Sequence, residues 1–151
     1  MVEAFIFGMG GVITNSEPFW KIAEIDIFNS VGVPMTIEMC NSVVGRRIDE
    51  VVAYWNKQFP FNNNTTEEEV ITRIINKVEE LILKEAEPMP GLYHTLNSIK
   101  EKGLKIGLAS SSYMVLIEAT LKKLDIKHYF DVYWSAEYEA KGKPSPDVYL
   151  T

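Results

Sequence analysis

The chain has 151 residues, 46% of them hydrophobic, 24% charged and 11% aromatic, which is the profile of one ordinary globular domain, or a small core carrying one insertion, and excludes a disordered or collagen-like polymer. A formal net charge of -6 supplies no global field for nucleic acid or anionic lipid, so an anionic ligand has to be held locally. The longest uncharged runs, Ala4 to Ser16 and Ile106 to Ile117, fall short of the ~20 apolar residues of a membrane span, the lone Cys40 has no disulfide partner, and Glu3 stands where a signal peptide carries a basic residue. A cytoplasmic protein is expected, with neither a nucleic-acid nor a membrane partner.

Val2 to Phe7 is a short apolar run ending at Gly8-Met9-Gly10-Gly11, which predicts a strand buried on both faces and then a tight loop. Ser16 before Glu17-Pro18 starts a helix whose apolar residues Phe19, Ile22, Ala23, Ile27 and Phe28 run at helical spacing to Gly32. Thr36 caps a shorter segment. Arg46 to Phe59 puts Ile48, Val51, Val52 and Trp55 on one helical face before Pro60. After the Asn62-Asn63-Asn64 loop, Thr65 with Glu68 or Thr66 with Glu69 forms a capping box for the longest helix, with Ile71, Ile75, Val78 and Ile82 as its apolar stripe. Glu67-Glu68-Glu69 reads as an acidic helix start rather than a metal site.

Glu87-Pro88-Met89-Pro90-Gly91 continues neither a helix nor a central strand. Beyond it the predicted order is helix Leu92 to Lys102, strand Leu104 to Ser110, helix Tyr113 to Leu124, strand Asp131 to Ser135, then loop. Alternating strands and helices imply right-handed crossovers and a parallel sheet. The fold class is therefore α/β: a Rossmann-like core from residues 1–14 and 88–151 with an inserted α-helical cap at 15–87. Gly8-Met9-Gly10-Gly11 is no dinucleotide fingerprint, because Ile13 takes the sixth position and no strand ending in an acidic ribose ligand follows. His94 and His128 share no metal-ligand spacing, and Trp20, Trp55 and Trp134 read as packing groups.

Three ordered segments resemble the motifs of the haloacid dehalogenase superfamily: Phe5 to Pro18, Leu108-Ala109-Ser110-Ser111-Ser112, and Lys141-Gly142-Lys143-Pro144-Ser145-Pro146-Asp147. Gly45-Arg46-Arg47-Ile48-Asp49 in the cap is similar to the sugar-phosphate branch of hexitol phosphatases and β-phosphoglucomutases. The resemblance implies a Mg2+-dependent phosphatase or phosphomutase acting on a small sugar phosphate. It also implies catalytic positions at 8 and 10, phosphate binding by Ser110, Ser111, Lys143 and the backbone near Met9, and substrate contacts from Arg47 and Glu17 on the cap.

The chemistry of such a site is general. A strand end aims a carboxylate at phosphorus, and a second carboxylate two residues on projects to the same side, where it protonates the leaving oxygen. A hydroxyl and an ammonium group complete the anion cradle. Here Gly8 and Gly10 occupy the two aspartate positions. A complete member of the superfamily also continues past the third motif to an acidic fourth motif, whereas this chain ends at Thr151. The expectation is a truncated, catalytically inactive chain that binds no Mg2+, since a hard cation wants several oxygen ligands.

Three readings stay open: an enzyme by descent, a metal-independent phosphate or sugar-phosphate binding module, and an interaction protein. The strand carrying the first motif is expected to leave an apolar edge uncovered, which favours self-association into a homo-oligomer.

Overall fold

Short apolar runs pair in parallel to form the sheet of this computed structural model, which describes all residues from Met1 to Thr151. Strands β1 (Ala4–Phe7), β2 (Lys105–Ser110) and β3 (Val132–Ser135) lie in the order β1-β2-β3. Phe7 stands beside Leu108, and Ser110 beside Ser135, so the glycine loop after β1 and the serines after β2 leave the sheet at the same, carboxyl end. That end is where parallel α/β sheets hold ligands.

Between β1 and β2 come α1 (Glu17–Ser30), α2 (Ile37–Ser42), α3 (Ile48–Gln58), α4 (Glu67–Glu85) and α5 (Leu92–Glu101). Helix α6 (Met114–Lys123) joins β2 to β3, and a one-turn helix, α7 (Asp147–Leu150), stands where a loop was expected. Thr66, rather than Thr65, caps α4. Its hydroxyl accepts from the Glu69 N–H at 3.1 Å, and the Glu69 carboxylate accepts from the Thr66 N–H at 3.0 Å, satisfying two donors the helix start leaves open.

The buried stripe of α4 is Val70, Ile74, Ile75, Val78, Leu81 and Ile82, with Ile71 only half-buried. It is broader than the four-residue spacing suggested because α4 packs against α1, α3 and α6. One continuous core of 33 buried residues runs from Met9 through these helices to Phe130.

Two chain crossings close the helical segment onto the sheet. Thr14 Oγ1 donates to the Glu87 carbonyl at 2.7 Å, and the Met89 N–H donates to the Ile13 carbonyl at 2.9 Å. The stretch from Asn15 to Glu87 therefore leaves and re-enters the α/β part at one place.

The strand expected to be buried on both faces is not. Phe5 is 41% exposed and Ile6 59%, because β1, at the edge of the three-stranded sheet, packs extensively only against β2 and no helix covers it closely. No helix is long and apolar enough to cross a membrane.

Candidate functional site

A cavity of about 490 Å³ opens between the carboxyl end of the sheet and the helices that follow β1, within the size range of small-molecule sites. Its floor is made by Gly8, Met9, Gly10, Ser110, Ser111, Ser112 and Lys143, and its opposite wall by Trp20, Lys21, Glu24, Val43, Arg46 and Ile48.

The glycine loop is a tight turn. The carbonyl of Met9 accepts from the N–H groups of Val12 and Ile13, and Gly11 takes a left-handed φ of 77° while its N–H reaches the Thr14 carbonyl at 2.8 Å, a conformation glycine adopts without strain. Gly8 and Gly10 are different. Neither has a left-handed backbone, and an added Cβ would meet Val12 Cγ2 at 3.8 Å and Ser16 Oγ at 3.7 Å. Both are ordinary contacts, so the backbone does not require glycine at either position.

Buried Ser110 accepts the Ser112 N–H on its hydroxyl oxygen at 3.1 Å, which leaves its own proton for another acceptor. The Ser111 Oγ is buried on the cavity wall with no partner, and a buried hydroxyl without an acceptor is an uncompensated cost that a bound anion removes. Ser110 does not cap the following helix. The Met114 N–H is taken instead by the Glu137 carboxylate at 2.8 Å. Lys143 lies over the Tyr149 ring, 5.2 Å from its centre, and lines the same cavity as these serines.

Arg47 does not line the cavity. Its guanidinium is turned the other way, donating to the carbonyls of Ala136 at 2.8 Å and Glu139 at 2.7 Å and pairing with Asp49 at 2.7 Å. The hydrogen bond to the Asp49 carboxylate, against the cost of burial and with the Glu50 charge nearby, raises its pKa further. The side chain expected to reach the substrate is thus consumed in joining α3 to the loop after β3, and the exposed Arg46 faces the cavity instead. Glu17 also lines it, paired with Lys21 at 3.3 Å.

One group on the wall, Glu24, was not singled out from the sequence. For Glu24 the signal was legible, since it shares the buried side of α1 with Phe19, Ala23 and Phe28. A carboxylate at a core position calls for a reason.

The donor set does not fit Mg2+. No group of three or more His, Cys, Asp or Glu side chains converges anywhere in the fold. The two carboxylates on the cavity wall are Glu17, already paired, and Glu24, buried on α1.

Residues 5–151 match the family described as haloacid dehalogenase-like hydrolase. The chain is 36% identical over 150 residues to hexitol phosphatase B of Escherichia coli, covering 99% of this chain and 67% of that protein. It is 26% identical to the beta-phosphoglucomutase of Bacillus subtilis, covering 99% of this chain and 68% of that one. In architecture it is similar to CbbY from Rhodobacter sphaeroides, solved with phosphate, at a TM-score of 0.89 and 20% identity over 99% of this chain and 70% of that one.

Proposed function

Because the chain belongs to the haloacid dehalogenase-like hydrolase family, within its sugar-phosphate phosphatase relatives, we propose that its cavity binds the phosphate of a small sugar or polyol monoester without metal and without turnover. The observation that carries this reading is the unpartnered Ser111 hydroxyl on one cavity floor with Ser110, Lys143 and the glycines at 8 and 10. Hydroxyls and an ammonium hold a phosphoryl group by charge-assisted hydrogen bonds. Glycines in place of two carboxylates remove like-charge repulsion toward that anion, and with it the nucleophile and the general acid.

In this reading residues 1–14 and 88–151 form the phosphate-binding α/β part, residues 15–87 form the cap over it, and Arg46 takes the rim position expected of Arg47. Lone, buried Cys40 is compatible with a reducing, cytoplasmic setting. The uncovered β1 edge supports self-association as a second property.

Calorimetry with glucose 6-phosphate, with and without a chelator, tests the binding. The expected result is a chelator-independent heat that Lys143→Ala abolishes; silence in the intact protein would remove the reading. A competing reading, that the chain is an active phosphatase with Glu17 as nucleophile, rests on Glu17 lining the cavity. It predicts turnover of para-nitrophenyl phosphate that is lost in Glu17→Gln.

A further inference from the structure

Glu24 is a charged residue type in a place that gives it no structural task. It is 7% exposed, on the buried side of α1, and it lines the cavity. It caps no helix, and the nearest ammonium on its own helix, Lys21, is bound to Glu17. Its hydrogen-bonding neighbour is the thiol of Cys40 on α2, and desolvation lifts the carboxyl to about 7. A thiol is a weak donor, so the carboxyl is buried with little compensation, an arrangement that costs stability. Groups held at such a cost and facing a cavity are candidates for ligand contact.

The wall around it carries the hydrophobic side chains of Trp20, Val43, Ile48 and Val51, and two other charged groups there, Glu17 and Lys21, are paired with each other. The cavity is therefore polarised. The floor offers hydroxyls and Lys143, while the far wall offers the Glu24 carboxyl beside hydrophobic side chains, with the Glu17–Lys21 ion pair on the same wall and the exposed Arg46 at the rim. A ligand that satisfies both ends has a phosphate at one end and a neutral, hydroxyl-bearing carbon chain at the other.

We propose that Glu24 binds a hydroxyl of that chain and makes the site selective for polyol or sugar monophosphates over phosphates that carry a carboxylate. A carboxyl group accepts a hydrogen bond from a hydroxyl and, when protonated, also donates one. Toward a second anion it offers repulsion instead. Specificity arises from this unfavourable pairing as much as from the favourable one. The inference rests on the cavity floor being a phosphate site.

The test is calorimetry on the full chain with three probes: inorganic phosphate, sorbitol 6-phosphate and 2-phosphoglycolate. In the wild type, sorbitol 6-phosphate binds about tenfold more tightly than inorganic phosphate, the increment of one good hydrogen bond to a buried charged or polar group, and 2-phosphoglycolate gains nothing over phosphate. Glu24→Leu brings the sorbitol 6-phosphate to phosphate ratio close to one, while Glu24→Gln keeps most of it and relieves the rejection of 2-phosphoglycolate. Should Glu24→Leu fail to fold, Glu24→Ala reads the same ratio.

A ratio unchanged by loss of the carboxyl, with phosphate still bound through Lys143, overturns the role of Glu24 and leaves the phosphate site standing. Absence of phosphate binding in the wild type overturns both.

Discussion

The Arg47 guanidinium donates to the backbone oxygens of Ala136 and Glu139, 89 and 92 residues away in the chain, while its own helix neighbour Asp49 holds the other face of the fork. At 8% exposure this is a buried tie between α3 and the loop that leads to Lys143. Arg47→Ala leaves two carbonyls and a carboxylate without their donor. The expected loss is about 2–4 kcal/mol, and Arg47→Lys recovers little because an ammonium cannot span three acceptors in that plane. Urea unfolding of both variants checks this; a loss under about 1 kcal/mol for Arg47→Ala would show that the tie is idle.

Gly142 lies against the same tie. Its N–H donates to Glu50 Oε1 at 3.1 Å, and a Cβ there would stand 2.9 Å from Arg47 Cβ. Gly142→Ala therefore forces the loop off α3, with an expected cost of about 1–3 kcal/mol. Lys143 is its immediate neighbour, so phosphate affinity falls as well. Gly8, where a Cβ meets only an ordinary contact at 3.8 Å, is the control for stability alone. A Gly142→Ala protein with unchanged melting and phosphate binding would contradict the close packing.

Gly8→Asp combined with Gly10→Asp is expected to fold, with stability within about 1 kcal/mol of the parent, since neither position needs left-handed backbone and both Cβ atoms find ordinary contacts. Two carboxylates make only part of the octahedral oxygen shell that Mg2+ demands. The double variant should bind Mg2+ weakly in calorimetry and still hydrolyse para-nitrophenyl phosphate no faster than buffer. Turnover that disappears on adding Lys143→Ala would overturn the second half.

Glu24 also predicts a pH dependence of stability. Its carboxyl titrates near 7 in the folded protein against an ordinary 4.5, chiefly through burial. Below pH 4.5 folded and unfolded chains both keep the proton, and no penalty applies. Between 4.5 and about 7 the unfolded chain releases it first, so stability falls as pH rises, by about 3 kcal/mol in all before levelling off. The Cys40 thiol, pushed up to about 12 by burial and by Glu24, stays neutral throughout, and Glu17 and Lys21 are paired with each other. Glu24→Gln removes this slope. Its stability relative to the wild type should therefore improve between pH 5 and pH 8 in urea unfolding, and equal differences at the two pH values would contradict the burial argument.

The β1 edge carries the exposed side chains of Phe5 and Ile6. Self-association through it should weaken in Ile6→Lys, because a charge on an edge strand opposes pairing with a second chain. Sedimentation at increasing concentration reads this directly. A wild type that stays monomeric at the highest concentration would leave the edge without a partner of its own kind.

Much of the architecture was fixed by local rules. Glycine and proline punctuation, the capping box at Thr66 and Glu69, and the switch from helical to strand periodicity after Gly91 act over a few residues. Such signals locate α1, α3, α4, α5, α6 and the three strands to within a few positions. The floor of the site was legible for the same reason, since Gly8, Ser110 and Lys143 each follow a strand or stand in a motif, and parallel strands deliver their ends to one edge.

What tertiary structure alone decided depends on partners far along the chain. Val2 to Phe7 reads as a doubly buried strand from its composition, yet burial depends on what packs over its two faces and along its edges, and β1 has an extensive partner only in β2. Arg46 and Arg47 are adjacent and chemically alike, so no local pattern separates the one that meets solvent in the cavity from the one that is spent on carbonyls 89 and 92 residues away. The turn at Gly45, with its left-handed φ of 82°, and the packing of the loop after β3 set which side chain points where. Periodicity carries the face of a helix, but it does not carry what the fold brings to that face.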